Sequence, residues 1–329
     1  MAIKNFIDGL SIGPAWGYLN LTVHPVISNT SRMSAYLTLD DALATGRFRI
    51  GEISLSGRVP ELKVLNDLSQ PVLLLDGEEL VGAKQNRILN LTIMVPANTE
   101  MTIPVSCVEA GRWQHSSAAF AAADRTQFAR GRAKKLTQVS DSLRMSGRRS
   151  GNQTDIWQEI AAKSSRMAIA SSTAAMAAIY ERNQARLNEF VRAMPRSDRQ
   201  VGAVFSIDGK IVGVDIFDSP NSFAKTAPKL IRSYAVDALD STVEAAGDTN
   251  GQVRIFLEHI AACDFSCFKA VGLGDDLRFN TPYLAGAALL VSGQVVHLVS
   301  FPVSVYGSHQ QKQSGHRPMA RARMRRTFH

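Results

Sequence analysis

Short apolar runs, each only a strand in length, fill the first third of the chain and limit what it can fold into. Gly, Pro and Asn separate these runs, as in "WGYLNLTVHPVI", "RILNLTIMVP" and "EMTIPVSCVE". Such residues favour turns, and short strands joined by turns are typical of antiparallel sheets, sandwiches and distorted barrels. We therefore predict a mostly antiparallel β region with polar motifs over residues 1–114.

The composition changes between residues 115 and 200, where Ala, Arg, Gln, Met and Ser dominate. Two segments, "DIWQEIAAKSSRMAIA" and "STAAMAAIYERNQARLNEFVRAM", place apolar residues at helical spacing. The basic stretch between them, near 144–154, is rich in Gly and Ser and is predicted to be a mobile loop. This part of the chain is predicted to be helical, with Ala- and Met-rich faces suited to core or oligomer contacts.

The last third, residues 201–307, mixes strands and helices. "VGAVFSIDGKIVGVDIFD" is typical of a hairpin that turns at Asp208-Gly209, and Ser292-Gly293 joins two further strands. Two helices are predicted between these hairpins, the first bent or broken at Pro228. The fold class is therefore predicted as α+β, with the N-terminal mostly antiparallel β region, the central helical segment and the C-terminal mixed α/β region packed as one compact unit.

The positive charge is concentrated at the end of the chain. The formal net charge is +8, and residues 308–329 hold six Lys and Arg residues and no acidic residue. This segment has too few apolar residues to fold alone, so we predict a flexible tail that contacts an acidic partner. Contact with a phosphate backbone is the competing prediction, although one aromatic residue offers little base stacking. The basic residues are Lys312, Arg317, Arg321, Arg323, Arg325 and Arg326.

Neither a membrane nor an oxidising compartment is indicated. No apolar stretch approaches twenty residues, and the first residues lack the apolar core of a signal peptide. Three cysteines, Cys107, Cys263 and Cys267, are too few and too scattered for a disulfide scaffold. A reduced, cytoplasmic setting without membrane contact is predicted.

Polar residues are concentrated in and after the segment "LLLDGEELVG". Asp76 and Glu78 follow its apolar first residues, and Gln85, Asn86 and Arg87 come within one loop after it. Acids at a strand end can bind a metal, act as a base or solvate a turn. Amides offer both donors and acceptors, and Arg offers a fork suited to carboxylate or phosphate. The neighbourhood therefore favours a recognition site over a simple turn.

A second polar group lies in "SCVEAGRW". Cys107 and Glu109 share a face if the strand continues through them. A buried carboxylate costs about several kcal/mol unless it is paired, so Glu109 is expected to pair with Arg87 or Arg112. That pair is either a structural lock or a means of orienting a guanidinium towards an anion. Cys107 is more typical of a buried thiol than of a nucleophile, and Trp113 offers a ring.

A third group surrounds the start of the helix after "VGVDIFD". Asp215 and Asp218 flank a strand end, and Lys225, Lys229 and Arg232 fall at i, i+4 and i+7 on the helix. The functional interpretation is a phosphate-and-metal site, and the competing one is a solvated helix face with surface ion pairs.

Two histidines are weaker signals. His297 stands alone in an apolar strand, where a histidine is more often a satisfied core residue than a catalyst. His115 follows Trp113 by two residues and is a candidate general base.

Four long segments, in order, resemble one known family. They are "DGEELVGAKQNRILN", "IPVSCVEAGRW", "VGAVFSIDGKIVGVDIFDSPNSFAKTAPKLIRSYAVDAL" and "GAALLVSGQVVHLVSFP". Together, from about Trp16 to Pro302, they resemble the ARG-and-rhodanese-phosphatase-superfamily-associated protein domain family, named for its association with ADP-ribosylglycohydrolases and rhodanese-like phosphatases. The resemblance implies a part in NAD or ADP-ribose metabolism and supplies no catalytic mechanism. The positions that match its polar motif residues are Glu78, Gln85, Asn86, Arg87, Cys107, Glu109, Arg112, Trp113, Asp215, Asp218, Lys229, Arg232 and His297.

Two hypotheses follow, and the sequence leaves open whether the chain is an enzyme. In the first, it binds, with hydrolysis as an added possibility, an ADP-ribose-like or other phosphorylated nucleotide, with a divalent metal such as magnesium as the candidate cofactor. In the second, it is a non-catalytic assembly or partner-binding protein, a candidate homo-oligomer whose motif residues form internal ion pairs. The catalytic candidates are Glu78, Cys107 and Glu109, and the ligand-binding candidates are Gln85, Asn86, Arg87, Arg112, Trp113, Asp215, Asp218, Lys229, Arg232 and His297.

Overall fold

The computed structural model describes residues 2–29, 34–54, 60–113, 117, 119–195, 197–241 and 250–303. The candidate base His115 and the basic tail at 308–329 lie outside the described residues. The helices are α1 (Ala2–Asp8), α2 (Leu39–Ala44), α3 (Ala129–Ser146), α4 (Gln153–Arg166), α5 (Ala177–Arg182), α6 (Gln184–Arg192), α7 (Pro220–Leu239) and α8 (Asn250–Ala261).

The strands are short, as the apolar runs predict. They are β1 (Leu10–Ile12), β2 (Trp16–Tyr18), β3 (Leu21–Ser28), β4 (Leu37–Thr38), β5 (Phe48–Gly51), β6 (Glu61–Asn66), β7 (Val72–Leu74), β8 (Glu78–Gly82), β9 (Arg87–Leu89), β10 (Ile93–Val95), β11 (Thr99–Cys107), β12 (Phe120–Thr126), β13 (Gln200–Ile207), β14 (Lys210–Phe217), β15 (Ser266–Lys269), β16 (Asp275–Asn280), β17 (Leu284–Val291) and β18 (Gln294–Pro302).

One large antiparallel sheet organises the C-terminal half. Its order is β1-β3-β13-β14-β18-β17-β16-β15, and β2 pairs with β3. The two predicted hairpins are confirmed: β13 and β14 turn at Asp208 and Gly209, and β17 and β18 turn at Ser292 and Gly293. All four turn residues have positive φ, from 51° to 76°, as a two-residue turn between right-twisted strands requires.

Both faces of this sheet are covered by helices. On one face, Val204, Val214 and Leu298 share a core with Val253 of α8 and with residues of α1. On the other face, α3 and α7 pack, and the rings of Phe205 and Tyr234 stack with centroids 3.8 Å apart. Burial on both faces explains why β13 has no exposed position.

The N-terminal half contributes two smaller sheets around its own core. Their orders are β12-β8-β9-β11-β6-β5 and β10-β7-β4, and within them only β4 and β7 run parallel. The predicted antiparallel β region is therefore confirmed, with two short helices, α1 and α2, in addition. At the start of α2, Thr38 and Asp41 form a capping box. Strand β12 lies within the segment for which the sequence predicts helices, and it pairs with β8.

The helices differ from the sequence expectation in two places. The predicted helical segment "STAAMAAIYERNQARLNEFVRAM" forms two helices, α5 and α6, which meet at Asn183. Helix α7 is continuous through Pro228, where a bend or break is predicted. Proline removes one helical hydrogen bond, but Ala227 and Leu230 beside it are fully buried, so packing holds the helix together. Among the described helices, none is both long and apolar enough to cross a membrane.

Candidate functional site

The first two polar groups meet at the ends of β9 and β11. These strands pair antiparallel with Cys107 opposite Arg87, which brings the two motifs side by side. Gln85 Nε2 donates to the Glu109 carbonyl oxygen at 2.9 Å, and the Asn86 backbone N–H donates to Glu109 Oε2 at 3.2 Å. We refer to this cluster as the Arg87 site. It consists of Glu52, Lys84, Gln85, Asn86, Arg87, Cys107, Glu109, Arg112 and Trp113.

A tight backbone turn between β8 and β9 positions these side chains. Gly82 has φ 135° and Ala83 has φ 41°, both in the region that side chains disfavour. A Cβ on Gly82 would lie 2.8 Å from the Ala119 carbonyl oxygen, so only glycine lets the backbone directly before β12 approach this closely. Arg112 Nη1 donates to the Ala83 carbonyl at 2.9 Å and so fixes the strained turn from the second motif.

Glu109 and Arg112 form an internal ion pair. Arg112 Nη2 lies 2.7 Å from Glu109 Oε2, and Arg112 Nε donates to the same oxygen at 2.9 Å. Thr173 Oγ1 donates to Oε1 at 2.9 Å. Burial by itself raises the pKa of Glu109, but the hydrogen bonds from Arg112, the Asn86 backbone and Thr173 lower it overall. Glu109 is therefore ionised with both oxygens occupied, which suits a structural lock better than a general base.

A second lock joins the same turn to β12. Glu79 is fully buried, and its Oε2 accepts from Arg125 Nε at 2.5 Å while its Oε1 accepts from Asn86 Nδ2 at 3.1 Å. Burial raises the pKa of Glu79 despite the nearby Arg125 charge. Asn86 therefore connects both locks, because its Oδ1 also accepts from Arg112 Nη2 at 3.0 Å.

Arg87 differs from these saturated groups. Its side chain is fully buried, and Nη1 donates to Gln85 Oε1 at 2.9 Å. Its Nε and Nη2 have no hydrogen-bond partner among the described residues. The carboxylate paired with it is Glu52, whose Oε1 is 4.0 Å from Nη2. Burial lowers the pKa of Arg87, with nearby Cys107 and Glu52 partly opposing the shift.

A half-exposed tryptophan lies against this buried arginine. Trp113 is 47% exposed, and its ring centroid is 5.8 Å from Arg87 Cζ and 5.3 Å from Lys84 Nζ. A cation within about 6 Å of an indole is attracted to its face. The two cations and the ring together provide positive charge beside a flat apolar surface.

The Cys107 thiol lies in the interior of the same site. Its Sγ donates to Gln85 Oε1 at 3.2 Å, and its backbone N–H donates to Gln153 Oε1 at 2.8 Å. Burial raises the pKa of Cys107. The thiol form therefore dominates at neutral pH, and a thiol is a poor nucleophile.

Asp215 and His297, predicted as ligand contacts, lie in a separate buried cluster. The guanidinium of Arg132 grips Asp215 through Nη1 at 3.1 Å and Nη2 at 2.6 Å, and Tyr234 Oη donates to Asp215 at 3.0 Å. Burial opposes ionisation, but Arg132 and His297 hold the pKa of Asp215 well below its usual range. We refer to this cluster as the Arg132 network. It contains Asp76, Thr92, Arg132, Lys135, Asp215, Tyr234 and His297.

Within this network, Thr92, His297 and Asp215 are arranged in line. Thr92 Oγ1 lies 2.9 Å from His297 Nδ1, and His297 Nε2 lies 3.3 Å from Asp215 Oδ1. A hydroxyl, an imidazole and a carboxylate in this order occur in hydrolase triads. Here Arg132 already neutralises Asp215, and the adjoining cavity of about 10 Å³ has room for about one water. The arrangement gives both ring nitrogens of the buried His297 a hydrogen-bond partner, as expected of a core histidine.

The remaining predicted residues dock α7 onto the N-terminal half. Lys229 Nζ lies 2.8 Å from Glu78 Oε1 and 2.7 Å from Asp40 Oδ2. Arg232 donates to the Asp124 carbonyl at 3.0 Å. Asp218 accepts from Tyr36 Oη at 2.5 Å. Glu78, Asp218, Lys229 and Arg232 therefore do not join the Arg87 site.

Sequence reasoning missed several members of both clusters. Arg132 and Lys135 fall at the helical spacing of the buried residues Ala129, Ala133 and Leu136, so their core positions were visible in the periodicity of α3. Glu52 follows β5 and carried no local signal. No group of three or more His, Cys, Asp or Glu that could hold a metal occurs among the described residues. The magnesium site stays a prediction.

Comparison with known proteins gives one result. The family model described as ARG and Rhodanese-Phosphatase-superfamily-associated Protein domain matches residues 9–301, a span that includes the Arg87 site and the Arg132 network. No curated protein and no solved structure is similar enough to this chain to match it.

Proposed function

Because the chain belongs to the ARG and Rhodanese-Phosphatase-superfamily-associated Protein domain family, we propose that it binds a phosphorylated nucleotide of the ADP-ribose type at the Arg87 site. The observation that carries the proposal is the unsaturated, fully buried guanidinium of Arg87 beside the half-exposed ring of Trp113. The family resemblance implies the ADP-ribose connection, and the site supplies the chemistry.

Arg87 is the phosphate-binding group of this proposal. A buried charge without hydrogen-bonded partners is costly, and an anion that fills its free N–H positions relieves that cost. The two free nitrogens, Nε and Nη2, are the edge that a guanidinium presents to two oxygens of one phosphate. Gln85 holds the third nitrogen and thereby fixes the orientation of the fork.

Trp113 is the base-stacking group. Its ring is the half-exposed part of the contact with Arg87, so it is the part that can move to admit a phosphate and then cover the base. Stacking of a base on an aromatic side chain is worth about 1–3 kcal/mol. Lys84, close to the same ring, adds positive charge beside it.

The other motif residues act as positioning residues. Arg112, Glu109 and Asn86 hold the turn through bonds within the chain and have few groups left for a ligand. Glu109 has both oxygens occupied, Cys107 is a buried thiol, and Glu78 pairs with Lys229. Binding is therefore the activity that the geometry supports, and hydrolysis lacks a free base or nucleophile among these three.

The test is calorimetric titration of the full chain with ADP-ribose, NAD and AMP, each with and without magnesium. We expect binding of at least one nucleotide. Arg87→Lys weakens it about tenfold or more, because lysine lacks the fork. Trp113→Ala weakens it about tenfold through lost stacking. The matched control is Arg254→Lys, on an exposed arginine of α8.

Absence of binding by the wild type would contradict the proposal, as would unchanged affinity in folded Arg87→Lys. The second function, a non-catalytic assembly protein, would then be favoured. Its support is that most motif residues are saturated within the chain, as in the Glu109–Arg112 and Glu78–Lys229 pairs. Light scattering of the full chain would then show a concentration-dependent oligomer.

A further inference from the structure

Glu52 is a buried carboxylate that forms no hydrogen bond with the residues that the structure describes. Its side chain is 7% exposed, and neither oxygen has a hydrogen-bond partner in the described part of the chain. The cation paired with it is Arg87, at 4.0 Å between Oε1 and Nη2, which is too long for a hydrogen bond. Glu52 stands directly after β5, at the edge of the six-stranded sheet.

Three other buried carboxylates have the hydrogen bonds that Glu52 lacks among the described residues. Glu79, Asp215 and Asp76 each accept close hydrogen bonds from arginine or lysine side chains. A carboxylate removed from water needs such donors, because leaving its oxygens unmet costs free energy. Glu52 therefore requires donors that the described residues do not supply.

The proximity of Glu52 and Arg87 limits the kind of ligand that can form hydrogen bonds with both side chains. Both oxygens of Glu52 accept, and the free nitrogens of Arg87 only donate. A ligand that satisfies both must carry hydroxyl or N–H donors next to anionic oxygens. A ribose phosphate has this combination, because its vicinal 2′ and 3′ hydroxyls can donate to the two oxygens of one carboxylate while its phosphate accepts.

We propose that Glu52 binds the vicinal diol of a ribose whose phosphate is held by Arg87, so that the site selects ribonucleotides over deoxyribonucleotides. This inference rests on the proposed nucleotide binding. It adds a residue to the site and names the substrate class as ribose phosphates. A nucleobase edge with N–H donors is the competing occupant, and it would satisfy Glu52 without any regard to the sugar.

The discriminating measurement is calorimetric titration of the full chain with AMP, 2′-deoxy-AMP, 3′-deoxy-AMP and ribose 5-phosphate. We expect each deoxy analogue to bind about tenfold to a hundredfold more weakly than AMP, because one hydrogen bond to a charged group is lost. Ribose 5-phosphate is expected to bind more weakly than AMP, since it lacks the base, and to lose that binding in Glu52→Gln.

Glu52→Gln is the central variant, because it keeps the size of the side chain and removes the charge. We expect AMP binding to weaken about tenfold or more and the AMP and 2′-deoxy-AMP affinities to become similar. The matched control is Glu100→Gln, on β11 of the same sheet, where the exposed carboxylate pairs with Lys63. This control is expected to keep the wild-type preference.

The outcomes separate the two levels of the proposal. If the wild type binds AMP and 2′-deoxy-AMP equally, nucleotide binding stands and the role of Glu52 is overturned. If Glu52→Gln loses thermal stability but keeps the ribose preference, Glu52 is only a structural counter-charge for Arg87, which also overturns it. If the wild type binds none of the four ligands, both the proposed function and this inference fail.

Discussion

Arg87 and Arg132 are both fully buried arginines, yet their surroundings differ. Arg132 donates to both oxygens of Asp215 and lies 3.4 Å from Asp76, so its charge is matched within the chain. Arg87 donates to Gln85, and the carboxylate of Glu52 lies 4.0 Å from its Nη2. The comparison teaches that burial alone does not single out Arg87 as a candidate for ligand binding. The distinguishing observation is that two of its nitrogens have no hydrogen-bond partner among the described residues.

The largest effect in a test of this difference between Arg132 and Arg87 is expected for Arg132→Met. Asp215 would remain buried without its main counter-charge, so we expect the free energy of unfolding to fall by about 3–5 kcal/mol. Chemical denaturation measures this change. Arg49→Met, on an exposed pair with Asp67, is the control and should lose less than about 1 kcal/mol. A loss of similar size in both variants would mean that the Arg132 network contributes little to stability.

Acid should weaken the saturated clusters next. The pKa of Asp215 is lowered in the folded protein, so its contribution to stability is present above the unfolded value of about 3.9 and is lost as pH falls below it. Glu109 changes in the same direction. We expect Asp215 to lose about 1–3 kcal/mol of its contribution between pH 5 and pH 2, measured by denaturation, and Glu109 to add to that loss. A free energy of unfolding that increases as the pH falls from 5 to 2 would contradict the lowered pKa values of Asp215 and Glu109.

The smallest effect on stability is expected at the Arg87 site. Replacing a poorly bonded buried ion pair with neutral groups of similar size is often neutral or stabilising, so Arg87→Met with Glu52→Gln should change unfolding by less than about 1 kcal/mol. Nucleotide affinity should fall below detection in the same protein. A large loss of stability here would make Arg87 equivalent to Arg132 and remove the distinction between the two regions.

The hairpins could be predicted because their turns are local. Asp208-Gly209 and Ser292-Gly293 carry the conformational preference of the turn in two residues. Strand β12 could not be predicted in this way, because a register shift between Ala122 and Thr126 interrupts the alternation of buried and exposed side chains. Its buried residues, Phe120, Ala123 and Thr126, recur every three positions, which is closer to a helical than to a strand period.

The candidate site was predictable where its contacts are close in sequence. Charge pairing predicted that Glu109 contacts Arg87 or Arg112, and its partner is Arg112, three residues along the chain. The Arg132–Asp215 pair joins residues 83 positions apart, so the sequence identified Asp215 without its partner. Glu52 follows β5 and Arg87 begins β9, strands that β6 and β11 separate in the six-stranded sheet, so no local pattern encodes the approach of their side chains.

The cationic stripe of α7 has a consequence for how this chain came to be one piece. Lys225 pairs with Asp41, Lys229 with Asp40 and Glu78, and Arg232 with Asp124. Every one of these carboxylates belongs to the N-terminal sheets or to α2 beside them, whereas the helix belongs to the C-terminal half. Separating the halves would leave the buried charges of Lys229 and Glu78 without each other. The two halves are therefore expected to be inherited together, as a single module.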